Sequence, residues 1–187
     1  QKTAYEIPLR LVGSEIVSVN NGSGCKKIAV YSGSGKISIG CVGAGSSDNL
    51  YQQMYPTSTW GKTYITTPSV NLVAGGVTGQ YNYYRIFKSN PNANVYRNGV
   101  LIPAGQFVYQ KYYSDINPTN QPEIITSDYP IMVAQYFTTQ GCSGNAGFGD
   151  PEMIYLNPVE QTISNVTLNS MQPATGTNIR EHYINVV

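Results

Sequence analysis

PEIITSDYPIMVAQYF, residues 122–137, holds two apolar runs with a break at Ser127–Pro130. Runs of this length, closed off by a proline and small polar residues, read as β-strands separated by a turn. The same rhythm continues on either side. KKIAVYSGSGKISIG, residues 26–40, is two short runs around a Ser-Gly turn. NVYRNGVLI, residues 94–102, sets Asn98-Gly99 between two runs, a strong hairpin signal because a type I′ turn needs positive φ at both central positions. PAGQFVYQKYY, residues 103–113, turns at Ala104-Gly105 and then alternates, Phe107, Tyr109 and Lys111 against Val108, Gln110 and Tyr112. No window of about a dozen residues keeps a helical period without Gly or Pro inside it. The expected fold is all-β, a β-sandwich-like module, with a barrel-like or propeller-like sheet arrangement as the alternative.

Composition narrows the function. Of 187 residues only 11% are charged and the net charge is +1, so nucleic acid and anionic membrane are poor partners. Hydrophobic residues make up 41%, enough for a core in a single module spanning residues 1–187. No apolar run is long enough to span a bilayer as a helix. The chain opens on Gln1, which reads as a mature or excised piece of a longer secreted protein. Three cysteines, Cys25, Cys41 and Cys142, leave one over after any pairing. His182 is the only histidine, so a His/Cys zinc site lacks ligands. Low charge and possible disulfide pairing fit an extracellular or cell-surface setting.

An internal repeat relates residues 28–68 to residues 133–169. Ala29 and Tyr31 fall on Ala134 and Tyr136, Gly40-Cys41 on Gly141-Cys142, Asp48 on Asp150, and Pro56 on Pro158. The repeat bears on GNAGFGDPEMIYLNPVEQ, residues 144–161, whose glycine-rich loop could cradle a phosphate, hold a metal or turn the chain. A feature present at matching places in two copies is architecture before it is an active site. The expected role of Asp48 and Asp150 is therefore to cap a turn with the carboxylate, ahead of a short strand and a proline.

Sharper chemistries fit less well. A P-loop needs GxxxxGK[ST], and Gly35-Lys36 is followed by Ile37, with no hydroxyl for Mg²⁺. Asp150 and Glu152 could converge as a glycosidase pair, but Pro151 lies between them and Asn49-Leu50 replaces Pro-Glu in the first copy. A Ser or Cys nucleophile would have to use His182, in a strand-like stretch near the end. No cofactor is expected. Calcium is the one metal with candidate oxygens, at Asp48 and Asp150, one carboxylate in each loop. The tyrosine clusters YNYYR and YQKYY could stack on sugars, although alternate tyrosines also fill β-pleats. Asn21-Gly22-Ser23 and Asn165-Val166-Thr167 match the glycosylation sequon.

Five ordered motifs carry a resemblance: DNLYQQMYPTSTWGKTYITTP, YYRIFKSNPNANVYRNGVLIPAGQF, IITSDYPIMVAQYFTTQGC, GDPEMIYLNPVEQTISNVTL and HYINVV. Together they resemble the IgGFc-binding protein N-terminal domain family, in the version found in large secreted surface proteins of Bacteroidetes-type bacteria. The resemblance implies a non-enzymatic adhesion or structural module whose partners are other protein modules. A carbohydrate-binding domain is the alternative, a glycan hydrolase the third. Low-charge β runs such as QYNYYRIF and HYINVV add an expectation of self-association through edge strands.

The cysteines give one further expectation. If Ser32-Gly33-Ser34 is a three-residue hairpin loop, Cys25 lies directly opposite Cys41 and can bond to it, leaving Cys142 alone. A two-residue loop would set Cys25 against Val42 instead, and Cys25–Cys142 or Cys41–Cys142 are the competing pairs.

Overall fold

A computed structural model describes residues 29–40, 47–73, 76–79, 81–114, 119–141, 151–168, 184 and 186–187. The fold is all-β, and no helix among the described residues exceeds a single 3₁₀ turn. Its spine is the strand that opened the sequence reading. Where a break was expected at Ser127–Pro130, one strand of 15 residues runs from Glu123 to Phe137.

The strands in chain order are β1 (Tyr31–Ile37), β2 (Asp48–Gln53), β3 (Gly61–Thr66), β4 (Val70–Val73), β5 (Gly76–Gly79), β6 (Asn82–Lys88), β7 (Val95–Arg97), β8 (Val100–Leu101), β9 (Tyr112–Ser114), β10 (Glu123–Phe137) and β11 (Glu152–Tyr155). β10 serves two strands on each side. Ala134 pairs with Arg85 of β6 and Tyr155 of β11, and Ile125 pairs with Tyr64 of β3 and Arg97 of β7. Ile131 pairs with Lys88 and Gly61, so β6 and β7 run end to end along one edge of β10, and β11 and β3 along the other. β9 and β8 extend the β6–β7 side to complete a seven-stranded sheet.

The polar segment inside β10 bulges instead of breaking. The β3 register shifts between Thr126 and Ile131, and the 89–94 connection supplies the missing bonds. Ser89 donates from N and Oγ to the Pro130 carbonyl at 3.1 and 2.6 Å, and Ser127 Oγ donates to the Asn94 carbonyl at 2.9 Å. Pro130 has no N–H to give a ladder, so a bulge is where a strand tolerates it.

Both faces of this sheet are covered. Ile125, Ile131, Val133, Tyr64, Ile86 and Val95 form one core, closed by Ile102 and Phe107. Met132, Ala134, Tyr136, Phe87, Met153 and Tyr155 form the other, with Leu50 of β2 packed into it. The unbroken apolar run Ile131–Ala134 follows from that arrangement, since alternate residues enter different cores.

The second departure concerns β1. The expected Ser32–Ser34 turn is not formed. SGSG is strand, and β1 pairs antiparallel with β2, Tyr31 opposite Gln53 and Gly33 opposite Tyr51. Gly33 is there for a close approach, since a Cβ would fall on the Leu50 carbonyl oxygen and lie 2.9 Å from the Tyr51 ring. The register that set Cys25 against Cys41 loses its premise, and Cys25, Cys41 and Cys142 all lie outside the described residues.

Candidate interaction surface

Pro56 and Pro158, 102 residues apart, start two turns of the same shape. Pro56 sits at φ −63°, ψ 147° and Pro158 at −73°, 156°. Each proline carbonyl accepts an N–H three residues on, from Thr59 and from Gln161, both at 2.9 Å. The 3₁₀ turns Thr57–Thr59 and Val159–Gln161 end on extended residues, Trp60 at −73°, 144° and Thr162 at −63°, 145°. The strand before each turn closes alike, by Met54 N–H on the Val30 carbonyl at 2.8 Å and Leu156 N–H on the Val133 carbonyl at 2.9 Å. These bonds match Val30 to Val133, which is two residues away from the alignment of Ala29 and Tyr31 with Ala134 and Tyr136.

The two turns touch. Pro158 is buried against Gly61, where an added Cβ would strike Pro158 and come within 2.6 Å of Glu160 Oε2. Lys62 N–H donates to Glu160 Oε1 at 2.9 Å, and Gln161 Nε2 donates to the Thr59 carbonyl at 2.7 Å. After the first turn the chain enters β3. After the second it runs through residues 163–168, every one exposed and none in a ladder, with Ile163, Val166 and Leu168 at 72%, 66% and 61% exposure.

Two further features involve aromatic rings. On the β1–β2 hairpin, Tyr31 and Tyr51 stack in parallel, ring centres 5.3 Å apart and planes 3° off. At the end of β6, Lys88 is buried with its ammonium 4.4 Å from the centre of the Phe107 ring. Burial lowers the Lys88 pKa, partly countered by the nearby Asp128 carboxylate. Partial desolvation raises the Asp128 pKa, but hydrogen bonds from Asn94 N (2.7 Å) and Nδ2 (2.9 Å) outweigh it and leave the carboxyl below its ordinary value. A cavity of about 540 Å³, lined by Lys88, Asn92, Asn94, Phe107 and Gln110, opens here. The strained tip beside it holds Tyr109 and Gln110 at φ 50° and 57°.

The family model described as IgGFc binding protein matches residues 4–187. The chain belongs to that family. No curated protein and no solved structure matches it.

Within this member of the family, the sequence candidates scatter. Asp48 opens β2, and its carboxylate accepts the Asn49 N–H at 2.6 Å, a bond to the next residue. Asp150 lies outside the described residues, as does His182. Glu152 is exposed at the start of β11. Among the described residues no three His, Cys, Asp or Glu side chains gather as a metal site, and no helix is long and apolar enough to cross a membrane. The tyrosines of YNYYR and YQKYY mostly pack inward. Tyr84 is buried, while Tyr112 and Tyr113 lie beside Phe87 and Phe107. The Tyr31–Tyr51 pair was missed because it forms only once β1 finds β2, and no local pattern announces that pairing.

Proposed function

We propose that this chain is a non-enzymatic, extracellular protein-binding module that serves adhesion in a larger surface protein. Family membership over residues 4–187 supports the protein-binding class. The observation that carries the reading to this molecule is the exposed, uncharged segment 163–168, with three large apolar side chains in water. Apolar residues grouped in this way beside a sheet mark a contact surface. Edge pairing, including self-association, is the expected mode.

A purified extracellular glycoprotein, immobilised before and after enzymatic removal of its glycans, tests this. The chain is expected to bind both forms equally and to leave the protein uncleaved. Binding that vanishes with the glycans would instead favour the second reading, carbohydrate recognition. That reading has its own support in the Tyr31–Tyr51 stack, where Tyr51 is 70% exposed and offers a ring face to a sugar. It predicts glycan-array signals that Tyr51→Ala abolishes.

A further inference from the structure

Asn98 and Gly99 form the two-residue tip between β7 and β8, exposed and at φ 51° and 79°. Arg97 pairs with Val100 and Tyr96 with Leu101, so the turn has no slack. Asn98 also links this tip to β10. Its N–H donates to the Ile124 carbonyl at 2.8 Å and its Oδ1 accepts the Ile124 N–H at 2.9 Å, so the side chain stands in for a ladder carbonyl. Its Nδ2 donates to Glu123 Oε1 at 3.4 Å. Glu123 is itself held by Arg97, through Nε at 2.8 and 2.9 Å and through Nη2 at 2.7 Å. Both ends of the Asn98 carboxamide are thus engaged on β10.

An asparagine followed by glycine is prone to lose ammonia spontaneously, because no side chain shields the nitrogen that attacks it. At Gly99 even an added Cβ would meet nothing within 4 Å. We propose that Asn98 is a deamidation site held in check by β10. Gly99 N gives up its proton and attacks Asn98 Cγ, the Cγ–Nδ2 bond breaks, and ammonia leaves behind a succinimide. Water opens that ring at Cγ to give aspartate, or at the main-chain carbonyl to give isoaspartate. The attack needs the carboxamide to swing off β10 toward Gly99, so both of its contacts must break first. Aspartate sets a second carboxylate against Glu123, where Nδ2 now donates. Isoaspartate lengthens the main chain of a turn whose register is fixed. Either product loosens the hairpin from the sheet, and the change is one-way.

The full chain is aged in mildly alkaline buffer beside a peptide of residues 94–102, NVYRNGVLI, and conversion is read from the amide-to-acid mass change. Peptide mapping separates residue 98 from Asn21-Gly22, the other such pair, which lies outside the described residues. Residue 98 should convert about tenfold more slowly in the folded chain than in the peptide, a comparison that needs no variant. Glu123→Ala frees Nδ2 and should speed conversion about threefold. Pro158→Ala weakens the fold at Gly61, away from the hairpin, and should convert at the parent's rate. In Asn98→Asp, amide exchange at Ile124 should be about threefold faster than in the parent. Conversion of the folded chain at the peptide's rate, no acceleration in Glu123→Ala, or equal acceleration in Glu123→Ala and Pro158→Ala would overturn the check by β10. Unchanged exchange at Ile124 in Asn98→Asp would overturn the loosening of the hairpin.

Discussion

The two proline turns have the same backbone and opposite surroundings. Pro56 is exposed and Pro158 buried; β3 follows one and a bare segment the other. Their sequences, Thr57-Ser58-Thr59 and Val159-Glu160-Gln161, share no residue. What they share is a proline that presets φ and an extended strand feeding into it, and that suffices for a 3₁₀ turn. Local geometry is thus set within a few residues. What becomes of the next strand is not, because ladder bonds need a partner from far along the chain. The first unit also carries clamps that the second lacks. Trp60 Nε1 donates to the Tyr55 carbonyl at 3.2 Å and Thr59 Oγ1 to the Pro56 carbonyl at 2.8 Å, where the second unit has Thr162 and Gln161.

The strongest way to break the comparison is to exchange residues at its matched positions. Gly61→Val puts a branched side chain where Pro158 Cγ would lie 2.7 Å from a Cβ. Overpacking of this kind should cost about 3 kcal/mol in urea unfolding. Ile163→Ala, at the matched position, should change stability by no more than about 0.5 kcal/mol. Equal losses at the two sites would mean that the Pro158 seat on Gly61 is not a tight contact.

Tyr64 and Val166 come next. Tyr64 Oη donates to the Ile131 carbonyl at 2.6 Å and accepts the Gly61 N–H at 3.2 Å, tying β3 to the bulged part of β10. Tyr64→Phe strands both groups and should cost about 2 kcal/mol, against almost nothing for Val166→Ala. There is also a pH signature. Burial pushes the Tyr64 pKa up to about 12 from 10.0, with the Gly61 hydrogen bond pulling it down and the Glu160 charge adding to the rise. The folded state therefore keeps a proton that the unfolded chain gives up. That stabilisation is whole below pH 10 and disappears as pH rises through about 12. Thermal melts from pH 8 to 12 should show a falling melting temperature, less steep in Tyr64→Phe. Some slope should remain, because burial also raises Tyr155 and Tyr136.

How far this was legible depends on the range of each interaction. Asn98-Gly99 was readable as a hairpin, and the turn has the required positive φ, 51° and 79°. The run 131–137 was readable as strand because its residues are apolar whatever they face. Ser127–Pro130 and SGSG were misread for one reason: their local turn chemistry is real, but distant partners outbid it. Asn94 and Ser89 hold the first stretch in the sheet, and β2 holds the second. The surface features were the least legible. Tyr31 and Tyr51, Lys88 and Phe107, and Pro158 and Gly61 are each brought together by topology.

The smallest expected effect isolates the turn itself. Pro56→Ala leaves an exposed site where alanine can adopt the same φ, so the loss is mainly the greater freedom of the unfolded chain, about 0.5 kcal/mol. Pro158→Ala loses that and also the ring packed on Gly61, and should cost about 1.5 kcal/mol in all. The gap between the two values measures the contact of the second turn with the first, free of the backbone contribution they share. Denaturant midpoints at constant m-value give that gap directly. If both prolines cost the same, Pro158 stabilises only its own turn, and the joining of the two units must come from Glu160 on Lys62 and Gln161 on Thr59. Glu160→Gln combined with Pro158→Ala would then lower the midpoint further, whereas a tight Pro158 seat predicts that the double variant is hardly worse than Pro158→Ala, because the released turn no longer presents Glu160 to Lys62.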